Sequence, residues 1–408
     1  MHILFVSDNF PPEVNAPASR TYEHAKEWVG LGHSVTIVTC VPNFPKGRVF
    51  DGYKNRLWQT ADAEGIRVIR VWSYITANEG IFKRIADHVS FMVTSFIASF
   101  FIRRVDLVIG TSPQFFAAIS AFLISALRGL PFVFEVRDLW PESIRAVGAI
   151  RRSLFLDFAE KVELFLYKRA DLIIPVTKAM RQNLIKRGVD GKKIKVVTNG
   201  VNLDRFNPTP KDDQLIAKLG LENKFIAGYI GTHGMAHALE AVIEAANLTQ
   251  VSEGGAQIHY LFVGEGAEKV KLQRLVESLG LHNVTFIGGV SKSEVTKYWS
   301  ILDVAIIHLK KTALFKTVIP SKLFECMGMG VPVLHAVEGE SAEIVADTGV
   351  GILVVPEDSG AIAVNLVNLK NDKQALLSMS VNGVRAAKDF DRVQLAREML
   401  RLLSDLKY

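Results

Sequence analysis

The sequence of 408 residues contains very little cysteine, and its N-terminus lacks the features of a signal peptide. Cys40 and Cys326 are the two cysteines of the chain, which excludes a disulfide framework and a cysteine-based zinc site. The first twelve residues have no basic cluster and already contain Asp8 and two prolines. We therefore expect a protein of the reducing cytoplasm without a signal peptide.

The common nucleotide-binding signatures are also missing. There is no Walker A string and no His-Glu-x-x-His string, and the run 7–20 after the first β-rich segment contains no glycine. GEGAEK (264–269) is the nearest dinucleotide fingerprint, but Lys269 stands where the third glycine belongs. These absences argue against an NAD enzyme and against a P-loop NTPase.

The sequence does contain a regular alternation of β-rich runs and helical stretches. Hydrophobic residues make up 49% and charged residues 22%, a composition that can bury full cores. Continuous Val, Ile and Leu runs favour parallel strands covered by helices on both faces. We predict two doubly wound, Rossmann-like α/β domains, residues 1–204 and 205–390, and a helix over 391–408 that crosses back to the first domain. The strands are expected at 2–7, 34–39, 66–72, 106–110, 131–136, 171–176 and 193–198, and then at 225–231, 258–264, 283–288, 303–309, 331–336 and 350–355.

Charge is distributed unevenly between the halves. Residues 1–204 hold 27 Lys plus Arg against 19 Asp plus Glu, a net +8, whereas the rest hold 21 against 23, a net −2. A basic half can face nucleic acid, an anionic membrane or solvent. Because the aromatic residues do not alternate with Lys and Arg as a base-stacking groove requires, the membrane is favoured over nucleic acid.

One segment is a candidate for membrane contact. Residues 83–104 contain fourteen uncharged residues, Val89–Ile102, bounded by Arg103 and Arg104. At about 1.5 Å per residue they cover ~21 Å, less than a ~30 Å hydrocarbon core, so the segment does not span a bilayer. It is either a helix buried in the first domain or an interfacial helix with its arginines at the headgroups, and one helix can do both with different faces.

Two groups in the first half follow strands, where open α/β sheets bind ligands. Asn15, Ala16, Ser19 and Arg20 lead into a helix whose backbone N–H groups can receive a ligand; the alternative is an ordinary proline-shaped loop capped by Ser19.

The second group is charged. Glu135, Arg137 and Asp138 end the strand 131–136 and can serve as acid, base or phosphate partner. The alternative is a local Arg–Asp ion pair that packs on Trp140 and Pro141.

In the second half, Gly231, Thr232 and His233 lie between a strand and a helix. Their backbone N–H groups suit a diphosphate, although a turn with incidental histidines is the alternative. No nearby carboxylate completes a metal site with His233 and His237.

FKTVIPSKLFECMGMGVPVL (315–334) is the most informative stretch. Pro320 and Ser321 indicate a helix start with Lys322 in its first turn, where a cation is unfavourable unless an anion neutralises it. A phosphate is the expected anion, and Glu325 can accept hydrogen bonds from ribose hydroxyls. The alternative is a surface lysine paired with that glutamate.

These strings, together with NGVNLDRF, EVRDLWPES and SDNFPPEVNAPASR, resemble glycosyltransferase family 4, which has the GT-B architecture of two Rossmann-like domains facing across a cleft. Within that family the sequence is similar to the bacterial L-fucosamine (N-acetyl-L-fucosamine) transferases of O-antigen and capsule assembly. The resemblance covers nearly the whole chain, and its motifs occur in the expected order.

The resemblance implies roles for individual residues. Glu325 ends the Glu-x(7)-Glu motif as the ribose ligand, but Thr317 stands in place of the first glutamate. Thr232–His233 replaces the usual phosphate-binding arginine, and Arg137–Asp138 replaces the usual histidine of the first domain. The donor site is then expected to comprise Gly231, Thr232, His233, Gly264, Glu265, Gly288, Val290, Lys316, Thr317, Ser321, Lys322 and Glu325.

The implied reaction is transfer of a sugar from UDP to a polyprenyl-diphosphate-linked saccharide at the cytoplasmic face of the inner membrane. It proceeds with retention of anomeric configuration and needs no metal or other cofactor. Lys322, backbone N–H groups and the helix dipole stabilise the leaving diphosphate, and Asp138 or Glu135 stabilises the transition state or orients the acceptor. Two alternatives are a GT-B nucleotide-sugar 2-epimerase and a nucleotide-sugar-binding scaffold subunit, the latter suggested by Thr317.

Overall fold

The computed structural model describes residues 1–13, 15–44, 47–76, 81–139, 142, 154–291 and 293–406. They form two compact units: unit 1 comprises Met1–Thr198 and Arg392–Tyr408, and unit 2 comprises Asn199–Asp391. The chain thus passes from unit 1 to unit 2 after Thr198, and it returns to unit 1 at Arg392.

Unit 1 contains a sheet in the order β3-β4-β2-β1-β5-β6-β7 among the described residues. All neighbouring strands pair in parallel except β3 and β4, which pair antiparallel at one edge. The strands are β1 (His2–Val6), β2 (Ser34–Thr39), β3 (Trp58–Ala63), β4 (Ile66–Val71), β5 (Leu107–Thr111), β6 (Phe132–Val136) and β7 (Leu172–Pro175).

The helices of unit 1 connect these strands in the doubly wound manner. They are α1 (Ala16–Gly30), α2 (Ile81–Ser99), α3 (Phe115–Arg128), α4 (Leu154–Arg169), α5 (Lys178–Lys186) and, from the C-terminal part of the chain, α14 (Arg392–Ser404). One core lies between the sheet and helices α1 and α14, where Trp28 and Met399 are fully buried with strand residues such as Ile37 and Ile109. This burial fixes α14 as part of unit 1.

Unit 2 contains a parallel sheet in the order β10-β9-β8-β11-β12-β13 among the described residues. Its strands are β8 (Phe225–Ile230), β9 (Ile258–Val263), β10 (Val284–Ile287), β11 (Val304–His308), β12 (Val333–Ala336) and β13 (Gly351–Leu353). Its helices are α6 (Asp213–Leu219), α7 (Glu240–Val251), α8 (Lys269–Ser278), α9 (Val295–Ser300), α10 (Lys322–Met329), α11 (Glu340–Thr348), α12 (Ser359–Asn371) and α13 (Lys373–Ala387). Two apolar clusters cover the two faces of this sheet.

The prediction of two doubly wound α/β domains is confirmed, but one predicted strand is wrong and one observed strand was missed. Residues 193–198 do not form a strand: a single bridge joins Ile194 to Ile173, and the carbonyl groups of Val197 and Thr198 accept hydrogen bonds from Arg20 instead. The edge strand β3 was not predicted, because WQTADA is polar and mostly exposed and so lacks an apolar pattern.

Helix α2 explains the ambiguity of the segment 83–104. One face packs inward, with Phe91, Ser95 and Ala98 buried. The other face and the following turn leave Ile97 and Phe101 exposed, the latter at 70%. The segment is therefore a helix that packs on unit 1 by one face, and the interfacial interpretation stays a prediction for the exposed face. Among the described residues, no helix is long and apolar enough to cross a membrane.

Candidate functional site

A buried ammonium group, that of Lys322, lies at the start of α10 in unit 2. As predicted, Lys322 opens the helix after Ser321, whose side chain makes no capping hydrogen bond. The Lys322 side chain is half-buried, but its Nζ is covered, has no hydrogen-bond partner among the described residues and lies 3.7 Å from the centroid of the Tyr229 ring. Burial lowers the pKa of Lys322 to about 7, and the nearby Cys326 and Glu325 oppose this shift only in part.

Two glycines at strand ends shape the space around this ammonium group. A Cβ at Gly231, which has φ 144°, would lie 2.8 Å from Lys322 Nζ. A Cβ at Gly264, with φ 145°, would lie 1.9 Å from the Gly231 carbonyl oxygen. Both positions therefore require glycine. We call Lys322, Tyr229, Gly231 and Gly264 the ammonium pocket.

The ammonium pocket is suited to an anion. An unpaired buried cation is costly, and it is placed where the N–H groups of a helix start also favour negative charge. Tyr229 supports the pocket, since its ring faces Lys322 and its hydroxyl donates to the Thr232 carbonyl at 2.8 Å. Tyr229 was missed from the sequence because a tyrosine inside an apolar strand looks like a core residue.

The structure does not support direct donor contact by His233. Its side chain is fully buried and lies against the rings of Phe262 and Phe286. Its backbone N–H donates to Glu265 and its carbonyl accepts from Glu268. Burial lowers the pKa of His233 to about 4, so the ring is neutral at physiological pH. His233 packs beneath the strand ends as an apolar side chain would.

The remaining predicted donor residues lie in two places. Glu265 follows β9 and Gly288 follows β10, and the two residues are neighbours in space. The Glu265 carboxylate accepts hydrogen bonds from Lys269 at 2.9 Å and from the Gly289 N–H at 3.2 Å. Val290, just beyond, packs partly buried on the unit 2 core.

The second place precedes α10. Lys316 forms an ion pair of 3.0 Å with Glu338, the Thr317 hydroxyl donates to the Leu314 carbonyl, and Glu325 is half-buried in the first turn of α10. The Thr317 hydroxyl therefore stabilises a local turn. It stands at the position where the motif of the resembled family has a glutamate.

In unit 1 the predicted catalytic residue Glu135 has a structural partner. Its Oε1 accepts from Arg20 Nε at 2.8 Å and its Oε2 accepts from the Thr111 hydroxyl at 3.0 Å; Arg20 and Glu135 are 3% and 1% exposed. Burial by itself would raise the pKa of Glu135, but the charges of Arg20 and Arg137 outweigh it and hold the pKa below its usual value. Glu135 and Arg20 are thus a buried ion pair, and the predicted roles in catalysis and acceptor binding do not fit their positions.

Arg137 links the two predicted groups of unit 1. Its guanidinium donates to the carbonyl oxygens of Ala16 at 2.8 Å and Pro17 at 3.2 Å, at the start of α1. Burial lowers its pKa to about 10, so it stays charged. The Ser112 hydroxyl accepts from the backbone N–H groups of Arg137 and Asp138 and thereby fixes the strand end.

The helix cap at α1 also needs correction. Asn15, not Ser19, is the N-cap: its Oδ1 accepts from the Ala18 N–H at 2.8 Å, whereas the Ser19 hydroxyl donates to the Asn15 carbonyl. Trp140 and Pro141, expected to pack on this group, lie outside the described residues. Among the described residues, no group of three or more His, Cys, Asp or Glu side chains is placed to hold a metal ion.

Both halves of the chain match known families. Residues 15–200 match the Glycosyl transferase 4-like domain, and residues 211–386 match the Glycosyl transferases group 1 family. Among curated proteins, the chain is similar to WcaI of Escherichia coli (strain K12), named for colanic acid biosynthesis, with 25% identity over 98% of this chain and 99% of the relative. It is also 23% identical, over 58% of this chain and 61% of the relative, to a 4-alpha-N-acetylgalactosaminyltransferase of Campylobacter jejuni whose name specifies a diphospho-undecaprenol acceptor.

Solved structures match over the full length. Anabaena HepE in complex with UDP and glucose has a TM-score of 0.75 at 19% identity and covers 99% of both chains. WaaG, involved in lipopolysaccharide biosynthesis, has a TM-score of 0.72 at 16% identity and covers 99% of this chain and 100% of its own. These likenesses confirm the GT-B fold. With a 4-like domain followed by a group 1 domain, the chain is a glycosyltransferase of the family 4/group 1 type.

Proposed function

We propose that this glycosyltransferase moves a sugar from a UDP-sugar to a polyprenyl-diphosphate-linked saccharide, with retention of configuration and without a metal ion. The single observation that carries the proposal is the unpaired ammonium group of Lys322 at the start of α10. A leaving diphosphate gains negative charge as the glycosidic bond to it breaks, and a pre-placed cation and helix start stabilise that charge. This is the work that a divalent cation does in other transferases.

The donor and the product class are part of the same proposal. UDP is supported by HepE, a structural neighbour solved in complex with UDP. A lipid-linked acceptor is supported by the name of the Campylobacter relative. We propose an N-acetylated deoxyhexosamine such as N-acetyl-L-fucosamine as the transferred sugar and O-antigen or capsule as the product, on the resemblance of the sequence to that group of transferases.

A transfer assay tests this function. Purified protein in EDTA is given a series of UDP-sugars and polyprenyl-diphosphate saccharides, and NMR of the product reports its anomeric configuration. We expect one UDP-sugar to be consumed in an acceptor-dependent way, with retention. Lys322→Ala and Glu325→Ala should each weaken UDP binding, while Lys271→Ala, an exposed lysine of the same unit, should not.

Other outcomes have defined meanings. If neither Lys322→Ala nor Glu325→Ala changes the affinity for UDP, the proposed donor site is wrong. Turnover of the donor without any acceptor would favour an epimerase. UDP binding without any transfer would favour a scaffold subunit, in line with Thr317 at the position of the missing glutamate.

We further propose that unit 1 binds the surface of the inner membrane from the cytoplasmic side. The exposed apolar side chains of α2, of the turn after it, of α3 and of α4 supply the contact, and basic residues accompany them: Val93, Ile97, Phe100, Phe101, Leu123, Leu127, Phe158 and Phe165, with Arg103, Arg104, Lys168 and Arg169. Apolar side chains combined with arginines are the usual composition of a surface that binds anionic lipid.

The membrane prediction can be tested by sedimentation with vesicles of anionic phospholipid. Replacing Phe100 and Phe101 by serine should lower the vesicle-bound fraction, with a partition coefficient reduced about tenfold or more, because two large apolar groups no longer leave water. Leu377→Ser with Val381→Ser, equally exposed side chains of α13, is the matched control. Equal loss in both double variants would contradict a membrane surface on unit 1.

A further inference from the structure

A second group of polar side chains lies where β1 and β5 of unit 1 end. The chain leaves β1 toward β2 on one side and later returns to β5 on the other side. Asp8 lies two residues after the end of β1 and Gln114 three residues after the end of β5, so both residues stand at this reversal of strand order. In open α/β sheets, such a reversal is where ligands bind. Neither residue belongs to the donor or acceptor sets derived from the sequence.

Asp8 is anchored by hydrogen bonds from three elements. Its N–H donates to Gln114 Oε1 at 2.8 Å, and its carbonyl accepts from the Thr39 hydroxyl at the end of β2 at 3.1 Å. Its carboxylate Oδ2 lies 3.1 Å from Nδ1 of His88 on α2. Among the described residues, the other carboxylate oxygen, Oδ1, has no hydrogen-bond partner. A carboxylate oxygen is thus held in a fixed position with its acceptor capacity unused.

Gln114 carries the complementary donor. The residue is 8% exposed, and its Oε1 accepts from the Asp8 N–H and, at 3.3 Å, from the Ser7 hydroxyl. These two donors fix the orientation of the amide, because a flipped amide would set Nε2 against the Asp8 N–H. Nε2 is buried and has no partner among the described residues. A buried N–H group without an acceptor destabilises the free protein, which points to a ligand oxygen.

His88 and Phe116 add flat surfaces to the same place. The two rings stack with centroids 6.3 Å apart and an interplanar angle of 9°. The His88 side chain remains 39% exposed and Phe116 is half-buried. A fixed carboxylate, an amide donor and an aromatic face together match the chemistry of a pyranose ring with its hydroxyl groups.

We propose that a hydroxyl cluster binds the terminal sugar of the acceptor and selects it by its hydroxyl pattern. The cluster consists of Asp8, His88 and Gln114. Asp8 Oδ1 accepts a hydrogen bond from one hydroxyl group, and Gln114 Nε2 donates to an oxygen of the same sugar. His88 holds the Asp8 carboxylate in place and is a positioning residue. The proposal rests on the proposed transferase function and adds the residues that choose the acceptor. A purely structural role explains Gln114 Oε1 but not the unused Nε2.

The first test removes one group at a time. Gln114→Glu keeps the oxygen that receives the Asp8 N–H and removes the donor, and Asp8→Asn keeps the shape and removes the charge. Each should lower kcat/KM for the acceptor about tenfold or more, mainly through KM, while the affinity for UDP stays within about twofold. Lys83→Ala, an exposed residue of α2, is the control and should change neither value. Gln114→Met replaces Gln114→Glu if thermal unfolding shows that the latter does not fold.

Monodeoxy acceptors make the test specific. For wild-type protein, one deoxy analogue should be a poorer acceptor; for Gln114→Glu or Asp8→Asn, the same analogue should cause little further loss, because its partner has already been removed. Full additivity of the two losses would overturn the proposal. A raised KM for the UDP-sugar, with the acceptor KM unchanged, would assign the hydroxyl cluster to the donor sugar and likewise overturn it.

Binding without turnover separates this proposal from the proposed function. Saturation-transfer NMR with methyl glycosides of glucose, galactose, N-acetylglucosamine and N-acetylgalactosamine measures saccharide binding to the full chain directly. If no transfer occurs, but a glycoside binds and Gln114→Glu weakens its binding, the proposed hydroxyl cluster is supported and the proposed transfer reaction is contradicted. If transfer occurs and the variants match wild type, the hydroxyl cluster fails alone. If wild-type protein binds none of these glycosides and transfers to none of the acceptors, both fail.

Discussion

Replacement of Lys322 by methionine is expected to weaken UDP binding about 10- to 100-fold near pH 6.5, which corresponds to roughly 1.5–3 kcal/mol for hydrogen bonds to a charged group. Methionine keeps the length of the side chain against Tyr229 and removes only the ammonium charge. Titration calorimetry in EDTA measures the change, with Lys271→Met as a control at an exposed lysine of the same unit. Equal affinity of Lys322→Met and wild type would rule out the ammonium pocket as the diphosphate site.

The same lysine predicts the pH dependence of UDP binding. Because the pKa of Lys322 is lowered to about 7 in the free protein, the group is charged below this pH and largely neutral at pH 8.5. Above pH 7, Lys322 must take up a proton when the diphosphate binds, so UDP affinity should fall up to tenfold per pH unit. The charge of UDP itself no longer changes in this range, because phosphate has its second pKa near 6. Proton uptake, measured in two buffers of different ionisation enthalpy, should be absent in Lys322→Met.

Stability of the free protein should change with pH in the opposite direction. In the unfolded chain the lysine recovers its usual pKa of 10.5, so between about pH 7 and 10 the unfolded state binds the proton that the folded state has lost. The free energy of unfolding should therefore rise with pH, by up to about 1.4 kcal/mol per unit from this group. Urea titrations of wild type and Lys322→Met at pH 7 and 8.5 compare the two slopes, and a rise of equal size in both proteins would contradict the assignment to Lys322.

Replacement of Arg20 by methionine should lower the free energy of unfolding by about 3–5 kcal/mol, the largest stability effect that we expect. The variant leaves the Glu135 carboxylate buried and without its main counter-ion, and it also removes the hydrogen bonds to the carbonyl groups of Val197 and Thr198. Urea denaturation at pH 7 measures the change. Lys26→Met, which breaks the exposed pair with Glu64, should lower the free energy of unfolding far less, because solvent screens that pair.

Two further variants distinguish a structural role of Glu135 from a catalytic one. Arg20→Met combined with Glu135→Leu removes both charges, so it should be more stable than Arg20→Met alone. A Glu135→Gln protein that folds as stably as wild type but has lost transfer activity would restore the catalytic interpretation of this residue.

The sequence predicted the sheets well because their strands are continuous apolar runs, such as VTIV in β2 and LFV in β9. It also predicted the helix start at Lys322, since Pro320 and Ser321 are local signals of a helix start. Both features depend on neighbours in the chain, which a single sequence displays directly.

The remaining parts of the site depend on contacts between distant residues. Arg20 and Glu135 are 115 positions apart, so no spacing rule joins them, and each was interpreted by itself as a ligand-binding group. His88 lies within a helix, where nothing marks it as a partner of Asp8. Asp8 itself directly follows a predicted strand, and the rule that ligands bind at strand ends could have singled it out.

The placement of α14 has a consequence for the order of events during synthesis. Trp28 donates its indole N–H to the Ala396 carbonyl at 2.8 Å, and Arg392 pairs with Glu23 at 2.5 Å. Leu400 and Leu403 lie in the same core. On the ribosome, unit 1 begins first but closes its core last, because the helix that covers Trp28 emerges only after all of unit 2 has been made. Unit 2 is continuous in the chain and can fold while unit 1 is still waiting for its final helix.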